Sequence, residues 1–270
     1  MDLARLNDRG LILVGCGRMG GALLKGWLNR GLDPAAVYVI DPAAPAWLAE
    51  RGIRANGATP PNPAVLVLAV KPQMMGDVLP ALQAAAEGAD TLILSVAAGV
   101  TLERFGRAFP GAPIVRAMPN TPAAIGQGIS AIIGNDRATA APMDLAQALM
   151  AAVGRVVRLQ DESQMDAVTA VSGSGPAYVF HLIEALARAG EAEGLPPSLA
   201  LDLARATVAG AGALAVAGDE DPAVLRANVT SPGGTTAAGL AVLMDDRSGL
   251  PDLIRRTVAA AAARSRELGQ

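Results

Sequence analysis

The chain has 270 residues and a formal net charge of −3, and 51% of it is hydrophobic while only 3% is aromatic. This balance gives no electrostatic reason to expect nucleic acid as a partner. With one cysteine and one histidine, the chain can form neither an internal disulfide framework nor a His/Cys metal cage, and no carboxylate spacing suggests a metal site.

The N-terminal sequence MDLARLNDRG lacks the apolar segment of a secretory signal peptide, so we expect a cytoplasmic protein. The first predicted strand is the apolar run LILV at Leu11–Val14, which is typical of a strand buried on both faces of a parallel sheet. The next six residues, 15–20, spell G-x-G-x-x-G and open a predicted helix at 18–30. In dinucleotide-binding folds the first Gly permits the tight turn, the second admits a pyrophosphate and the third brings the helix close to the sheet. A purely structural turn is the alternative.

A second predicted strand at 37–40 leads directly to Asp41. An acidic residue at this point, about 20 residues after the Gly-rich turn, suits the ribose diol of NADH and repels a 2′-phosphate. The alternative role is a helix cap, because Asp41 precedes Pro42.

The elements that follow alternate between strands and helices. Strands are predicted at 64–70, 91–96, 114–118, 128–133 and 155–159, and helices at 44–51, after Pro72, after Thr101 and at 138–152. Such alternation predicts an N-terminal α/β domain at 1–160 with a doubly wound parallel sheet of Rossmann type. Past residue 160 the strand pattern disappears, and an all-helical domain is predicted at 161–270, with helices at 162–171, 176–193, 197–217, 222–228, 236–244 and 250–268.

The longest apolar run, at 206–218, is rich in Ala and Gly. It is shorter than the ~20 residues that a membrane span requires. We therefore expect no membrane partner and predict a helix whose small-residue face packs closely on another helix. His181, in the neighbouring helix, is interpreted as a packed or interface residue.

Ligands of doubly wound sheets bind at the carboxyl ends of the strands, so the residues just after each strand are candidates. Lys71 follows the strand at 64–70, where it is either a surface charge or a contact to cofactor or substrate. Asn120 lies between two prolines that fix its backbone, either for a turn alone or to hold an amide donor against a ligand. Cys16 is assigned no chemistry of its own.

Two Gly-rich segments of the helical half, at 172–176 and 230–236, each lead into a helix. Main-chain N–H groups at such a point can bind an anion, and the hydroxyls of Ser231, Thr235 and Thr236 add donors. Ordinary helix capping by Ser and Thr is the alternative. Two such segments with paired glycines favour a small carboxylate site.

Taken together, these motifs closely resemble those of pyrroline-5-carboxylate reductases, and the resemblance runs in order from the first strand to about residue 267. The motifs are GCGRMG at 15–20, AVKP at 69–72, SVAAGVT at 95–101, MPNTP at 118–122, SGSGPAY at 172–178 and SPGGTT at 231–236. The last two form the most specific pair.

The resemblance implies reduction of 1-pyrroline-5-carboxylate to L-proline with NADH or NADPH. It also implies a homodimer built through the helical domain, within a larger ring such as a decamer in many members. Its cofactor contacts fall on Gly15, Cys16, Gly17, Arg18, Met19, Gly20, Asn56, Val70, Lys71, Pro72 and Ala98. Its substrate-carboxylate contacts fall on Ser231, Gly234 and Thr235, and its hydrogen bond to the ring nitrogen, the catalytic contact, falls on Thr236.

One position departs from the family pattern, because many members have Ser, Asn or Arg where this chain has Asp41. This difference again favours NADH. Two other functions are compatible with a Rossmann domain followed by helices: a 3-hydroxyacid dehydrogenase and a non-catalytic dinucleotide sensor. The former needs a cationic or acidic donor for the developing alkoxide. Dehydrogenases of that kind supply a Lys from the helical domain, and residues 161–270 contain no Lys. A sensor has no use for two hydroxyl-rich anion loops.

Overall fold

The computed structural model describes residues 3–86 and 90–269. Contacts divide the chain into a sheet unit, Met1–Gly173 with Ala261–Gln270, and a helical unit, Ser174–Ala260. In the described residues the sheet unit contains one eight-stranded sheet. Its strands are β1 Leu11–Val14, β2 Val37–Ile40, β3 Arg54–Ala55, β4 Val65–Leu68, β5 Leu92–Ser95, β6 Ile114–Met118, β7 Gly128–Gly134 and β8 Gly154–Arg158.

The strand order is β3-β2-β1-β4-β5-β6-β7-β8, which contains the Rossmann order in its first six strands. The fold class predicted from the sequence is confirmed, with one difference in strand direction. β7 runs antiparallel to β6, whereas β8 is parallel to β7. The connection from β6 to β7 holds only a short 3-10 helix, Thr121–Ile125. A parallel crossover needs a dozen or more residues, so this short connection reverses the chain.

The helices of the sheet unit cover both faces of the sheet. They are α1 Leu3–Arg9, α2 Arg18–Asn29, α3 Trp47–Glu50, α4 Met75–Leu82, α5 Leu102–Ala108, α6 Ala140–Met150 and α7 Met165–Val168. Alternate residues of β1 enter two different cores. Leu11 and Leu13 pack with Trp27 of α2, whereas Ile12 and Val14 pack with Phe105 of α5. The four-residue apolar runs therefore form strands because each of their faces meets a helix layer.

The helical unit begins with α8 Gly175–Ala192 and continues with α9 Pro197–Ala217, α10 Pro222–Asn228, α11 Thr235–Leu243 and α12 Leu250–Leu268, within which the chain returns to the sheet unit. These bounds agree closely with the predicted helices. α8 and α9 pack closely where Gly190 of α8 faces Ala200: a Cβ at Gly190 would lie 3.3 Å from the Ala200 Cβ.

This close packing does not involve the predicted segment 206–218. Nothing lies within 4 Å of a Cβ placed on Gly210 or Gly212, and residues 211–217 are exposed. α9 is the one helix of the described residues that is long and apolar enough to cross a membrane, and 11% of its most apolar window is buried. Length and composition alone are weak evidence for a span, and the small-residue face of α9 lacks a partner helix within the helical unit.

Candidate active site

The Gly-rich turn after β1 uses its three glycines for three different reasons. Gly15 has φ +91°, and a Cβ there would lie 2.7 Å from the carbonyl oxygen of Ala69. A Cβ on Gly20 would lie 2.0 Å from the carbonyl oxygen of Gly15, so only glycine lets α2 approach the strand. Gly17 differs, because a Cβ there would meet nothing within 4 Å. The turn is therefore closed at Gly15 and Gly20 and open at Gly17, as a pyrophosphate cradle requires.

The N-terminus of α2 faces this opening without a side-chain cap. Gly17 is the N-cap residue, and its carbonyl accepts the Gly21 N–H at 2.8 Å. The N–H groups of Arg18, Met19 and Gly20 precede this first bond and have no intrahelical acceptor. They supply the donors that a dinucleotide phosphate needs at a helix start, so the turn fits the predicted cofactor.

Asp41 ties the end of β2 to the Gly-rich turn. Its Oδ2 accepts the Cys16 N–H at 2.7 Å, and its Oδ1 accepts the Ala43 N–H at 2.8 Å. Asn56 holds the Asp41 backbone from the other side: its Oδ1 accepts the Asp41 N–H at 3.0 Å and its Nδ2 donates to the Asp41 carbonyl at 2.8 Å. Asp41 thus makes the cap-like turn that was the alternative interpretation, and its carboxylate also reaches the predicted phosphate site.

The Cys16 thiol is buried, and burial, followed by the negative charge of Asp41, raises its pKa to about 11, while Lys25 opposes the shift. The thiol is therefore neutral at physiological pH and is a poor nucleophile. This agrees with its assignment of no chemistry. Cys16 contributes its main-chain N–H to the turn.

The other predicted cofactor contacts lie after β4, β5 and β6 of the same unit. Val70 packs against the Gly-rich turn, where a Cβ on Gly15 would lie 3.0 Å from its Cγ1. Lys71 is exposed and has an extended backbone, and Pro72 after it begins a 3-10 helix. Ala98 is half-buried in the loop after β5.

Asn120 holds the start of β7. Its Oδ1 accepts the Ile129 N–H at 3.0 Å, and the residue is only 9% exposed. The Asn120 amide oxygen therefore stabilises the turn, and the Asn120 NH2 group is the part of the side chain left for the predicted contact to a ligand.

The SPGGTT loop belongs to the helical unit and leads into α11. The Gly234 N–H donates to the Ser231 carbonyl at 3.0 Å, and Gly233 takes φ +72°, which closes a tight turn. Gly234 is the N-cap residue of α11, and because glycine has no side chain, it caps none of the first N–H groups of the helix. Ser231, Thr235 and Thr236 are exposed. Their hydroxyls thus do not cap α11, and its first-turn N–H groups remain as anion donors.

The SGSGP segment differs from the predicted break between two helices. Thr169–Gly173 continues α7 as a π-helical turn, and only a bend at Ser174, whose backbone angles are helical, separates it from α8. The Ser172 hydroxyl donates to the Val168 carbonyl at 3.0 Å, which supports this turn. A Cβ on Gly173 would lie 2.4 Å from the Met118 Cε, so Gly173 serves close packing, and its N–H is part of a helix.

Sequence reasoning missed one polar pair of the sheet unit. Arg116 lies in the apolar strand β6, is 5% exposed and forms an ion pair with Glu162. Oε1 of Glu162 also accepts the Leu102 N–H at 2.8 Å. A charged residue inside a buried strand requires a partner, and Arg116 within IVRAM was the available signal. This pair lies on the wall of a cavity of about 420 Å³, which is also lined by Gly99, Asp166 and Ser265.

Comparison with known proteins gives one consistent result. Residues 162–268 match the family model described as pyrroline-5-carboxylate reductase dimerisation, and residues 10–99 match NADP oxidoreductase coenzyme F420-dependent. A pyrroline-5-carboxylate reductase from Synechocystis is 49% identical over 207 residues, which cover 76% of this chain and 75% of the relative.

Two solved structures share the fold over nearly the whole chain. A pyrroline-5-carboxylate reductase from Coxiella burnetii has a TM-score of 0.89 at 33% identity, covering 98% of this chain and 100% of its own. The Plasmodium falciparum enzyme with NADP bound has a TM-score of 0.84 at 27% identity, covering 98% and 99%.

Proposed function

The chain belongs to the pyrroline-5-carboxylate reductase family, and on this premise we propose how its residues carry out the reaction. The protein is an oxidoreductase that reduces 1-pyrroline-5-carboxylate to L-proline with a nicotinamide dinucleotide. The observation that carries our assignment of the cofactor site is the Gly-rich turn. It is open at Gly17 and bonded to Asp41 through the Cys16 N–H.

The cofactor, when bound, supplies a hydride, and the remaining chemistry is positioning by this chain. The N–H groups of the Gly-rich turn bind the pyrophosphate, and the loop residues Val70, Lys71, Pro72, Ala98 and Asn120 hold the rest of the dinucleotide. The uncapped start of α11, with Ser231, Gly234 and Thr235, binds the substrate carboxylate. The Thr236 hydroxyl hydrogen-bonds the ring nitrogen.

This arrangement needs no strong general acid. The cyclic imine is protonated when it binds, so hydride addition to the iminium carbon places the electron pair on nitrogen and gives a neutral amine. No alkoxide develops, and a cationic proton donor is not required. This explains why residues 161–270 can lack lysine. It also disfavours a 3-hydroxyacid dehydrogenase, while the anion donors at α11 disfavour a dinucleotide sensor.

We propose NADH as the preferred cofactor. Both oxygens of Asp41 are fixed by main-chain N–H groups beside the phosphate cradle. A carboxylate held there can accept the ribose hydroxyl and repels a 2′-phosphate.

We propose that the helical unit forms a homodimer, which can assemble into a larger ring such as a decamer. The dimerisation family model over residues 162–268 supports oligomerisation, and the exposed small-residue face of 206–218 supplies a surface for it. The cytoplasmic location stays a prediction.

Initial rates with 1-pyrroline-5-carboxylate and each cofactor test these proposals together. We expect oxidation of both dinucleotides to depend on the imine, with the higher kcat/KM for NADH. Binding of NADH without oxidation would instead indicate a sensor. A higher kcat/KM for NADPH would overturn the role of Asp41 and leave the reaction intact.

A further inference from the structure

The loop at 95–101, which carries the predicted cofactor contact Ala98, is held at both of its ends. At its start, the buried Ser95 Oγ accepts the Ala97 N–H at 3.2 Å. At its end, Thr101 caps α5 by accepting the Arg104 N–H at 3.3 Å. These two bonds are local, so they do not fix the loop relative to the rest of the sheet unit.

A second acceptor at the start of α5 comes from a distant part of the sequence. Oε1 of Glu162 accepts the N–H of Leu102, the first residue of α5, at 2.8 Å. The same oxygen forms the ion pair with Arg116 in the middle of β6. Glu162 therefore connects the end of the 95–101 loop to the neighbouring strand.

Glu162 is itself held in place. Asp161 and Gln164 form a capping box around it: the Asp161 carboxylate accepts the Ser163 N–H at 2.7 Å, and the Gln164 side chain reaches back to the Asp161 N–H. The hydrogen bonds from Ser163 also hold the pKa of the Asp161 carboxyl below its ordinary value. A residue fixed in this way can transmit its position to the loop.

The end of α12 lies against the middle of the same loop. A Cβ on Gly99, which has φ +78°, would lie 3.1 Å from the carbonyl carbon of Leu268. The Ser265 Oγ donates to Oδ1 of Asp166 at 2.6 Å and holds α12 against α7. The loop is thus enclosed by the segment that carries Glu162 and by the end of α12.

We propose that Glu162 is a positioning residue for the cofactor, acting through the 95–101 loop. The bond to Leu102 and the ion pair with Arg116 set the distance between this loop and β6. They therefore set the position of Ala98 relative to the carboxyl edge of the sheet. This inference rests on the proposed function, because Ala98 matters only where the dinucleotide binds.

The test compares NADH affinity with stability in Glu162→Ala. Losing one hydrogen bond that orders the loop weakens NADH binding about two- to tenfold, which a fluorescence titration measures as the Kd. Truncation leaves the buried Arg116 without its carboxylate, so we expect a lower Tm. Because Glu162 is partly exposed on the cavity wall, water can reach the guanidinium, and we expect the thermal transition to stay cooperative. kcat at saturating NADH should change less than the Kd.

Glu103→Ala is the matched control. Glu103 lies in the first turn of α5, as Leu102 does, and pairs with Arg107 of the same helix, and both side chains are exposed. We expect this variant to bind NADH as the wild type does. If Glu162→Ala fails to fold, Leu102→Pro is tested, because proline is tolerated at the first helical position and lacks the donated N–H. Leu102→Ala keeps that N–H and controls for the lost leucine side chain, which packs against the core.

The possible failures are distinguishable. Absence of imine-dependent oxidation of both NADH and NADPH by the wild type would overturn the proposed function. A wild type that reduces the imine, together with folded Glu162→Ala or Leu102→Pro protein whose NADH Kd is unchanged, would overturn the positioning role alone. A fall in Tm with an unchanged Kd would assign the pair a purely structural role.

Discussion

The two units of this chain differ in how far their apolar residues are buried: most are buried in the sheet unit, and many are exposed in the helical unit. In the sheet unit, the four residues of β1 are all buried, and two cores cover the two faces of the sheet. In the helical unit, the buried hydrophobic residues among those described are Ala187, Ala200 and Ala204. Most large hydrophobic residues exposed in the described chain belong to this unit, among them Val179, Phe180, Leu214, Val216, Val242 and Leu253.

This difference shows which unit is complete within one chain. A large exposed apolar surface on a folded protein marks an interaction site. The sheet unit already contains the covered core and the fixed contacts of its candidate cofactor site. The helical unit, whose SPGGTT loop is our candidate substrate site, needs a partner surface. We therefore expect cofactor binding to survive loss of assembly and turnover to depend on it.

The largest expected effect is the loss of assembly in Val216→Glu. Val216 of α9 is 72% exposed in the single chain, and a carboxylate there would be buried without a partner in the proposed dimer. The cost is at least about 3 kcal/mol, or more than about 100-fold in the dissociation constant. Light scattering should show a smaller species that still binds NADH and has lost imine turnover.

Ile125→Glu is the control for this comparison. Ile125 is equally exposed, at 73%, but lies in the sheet unit. Its substitution should leave the molecular mass of the assembly unchanged. A wild-type monomer, or equal loss of assembly in both variants, would contradict the distinction between the units.

The next effect concerns the preformed turn of the sheet unit. In Gly20→Ala the new Cβ would lie 2.0 Å from the Gly15 carbonyl oxygen, so α2 must move away from β1. We expect a cost of about 1–3 kcal/mol, a fall in Tm of roughly 2–4 °C for each kcal/mol, and weaker NADH binding.

Gly17→Ala separates stability from binding at the same turn. Gly17 has φ −71°, which any residue adopts, and its Cβ would meet nothing. The Tm should stay at the wild-type value, because the new methyl group contacts no other atom of the protein. NADH binding should weaken, because the methyl group occupies space that the pyrophosphate is proposed to fill. Unchanged affinity in this variant would place the phosphates elsewhere.

These residues also show what the sequence could and could not predict. The apolar runs and G-x-G-x-x-G predicted β1, the turn and α2, because they act over a few neighbouring residues. The parallel direction predicted for β7 was wrong. An apolar run has the same pattern whichever way the strand runs, so the sequence could not show the reversal. The Arg116–Glu162 pair joins residues 46 positions apart, and no local pattern connects them.

Thr236→Val tests the helical unit at its proposed catalytic contact. Loss of a hydrogen bond to a charged group costs roughly 1.5–3 kcal/mol, or about 10- to 100-fold in turnover. The NADH Kd should not change, because the cofactor contacts belong to the sheet unit. Thr257→Val is the control, since the Thr257 hydroxyl donates to the Leu253 carbonyl of α12 at 2.9 Å. Wild-type turnover in Thr236→Val would show that the Thr236 hydroxyl makes no catalytic contact and that Thr236 only forms part of the first turn of α11.

The smallest expected effect is a change of cofactor preference in Asp41→Ser. This substitution removes the charge that repels a 2′-phosphate and replaces the carboxylate that accepts the Cys16 N–H by a shorter hydroxyl. We expect the ratio of kcat/KM for NADPH to that for NADH to rise about tenfold, which corresponds to about 1.4 kcal/mol. The KM for the imine should stay constant, because its predicted contacts belong to the helical unit. A change in the imine KM as large as the change in cofactor preference would show that the two units do not divide the reaction as proposed.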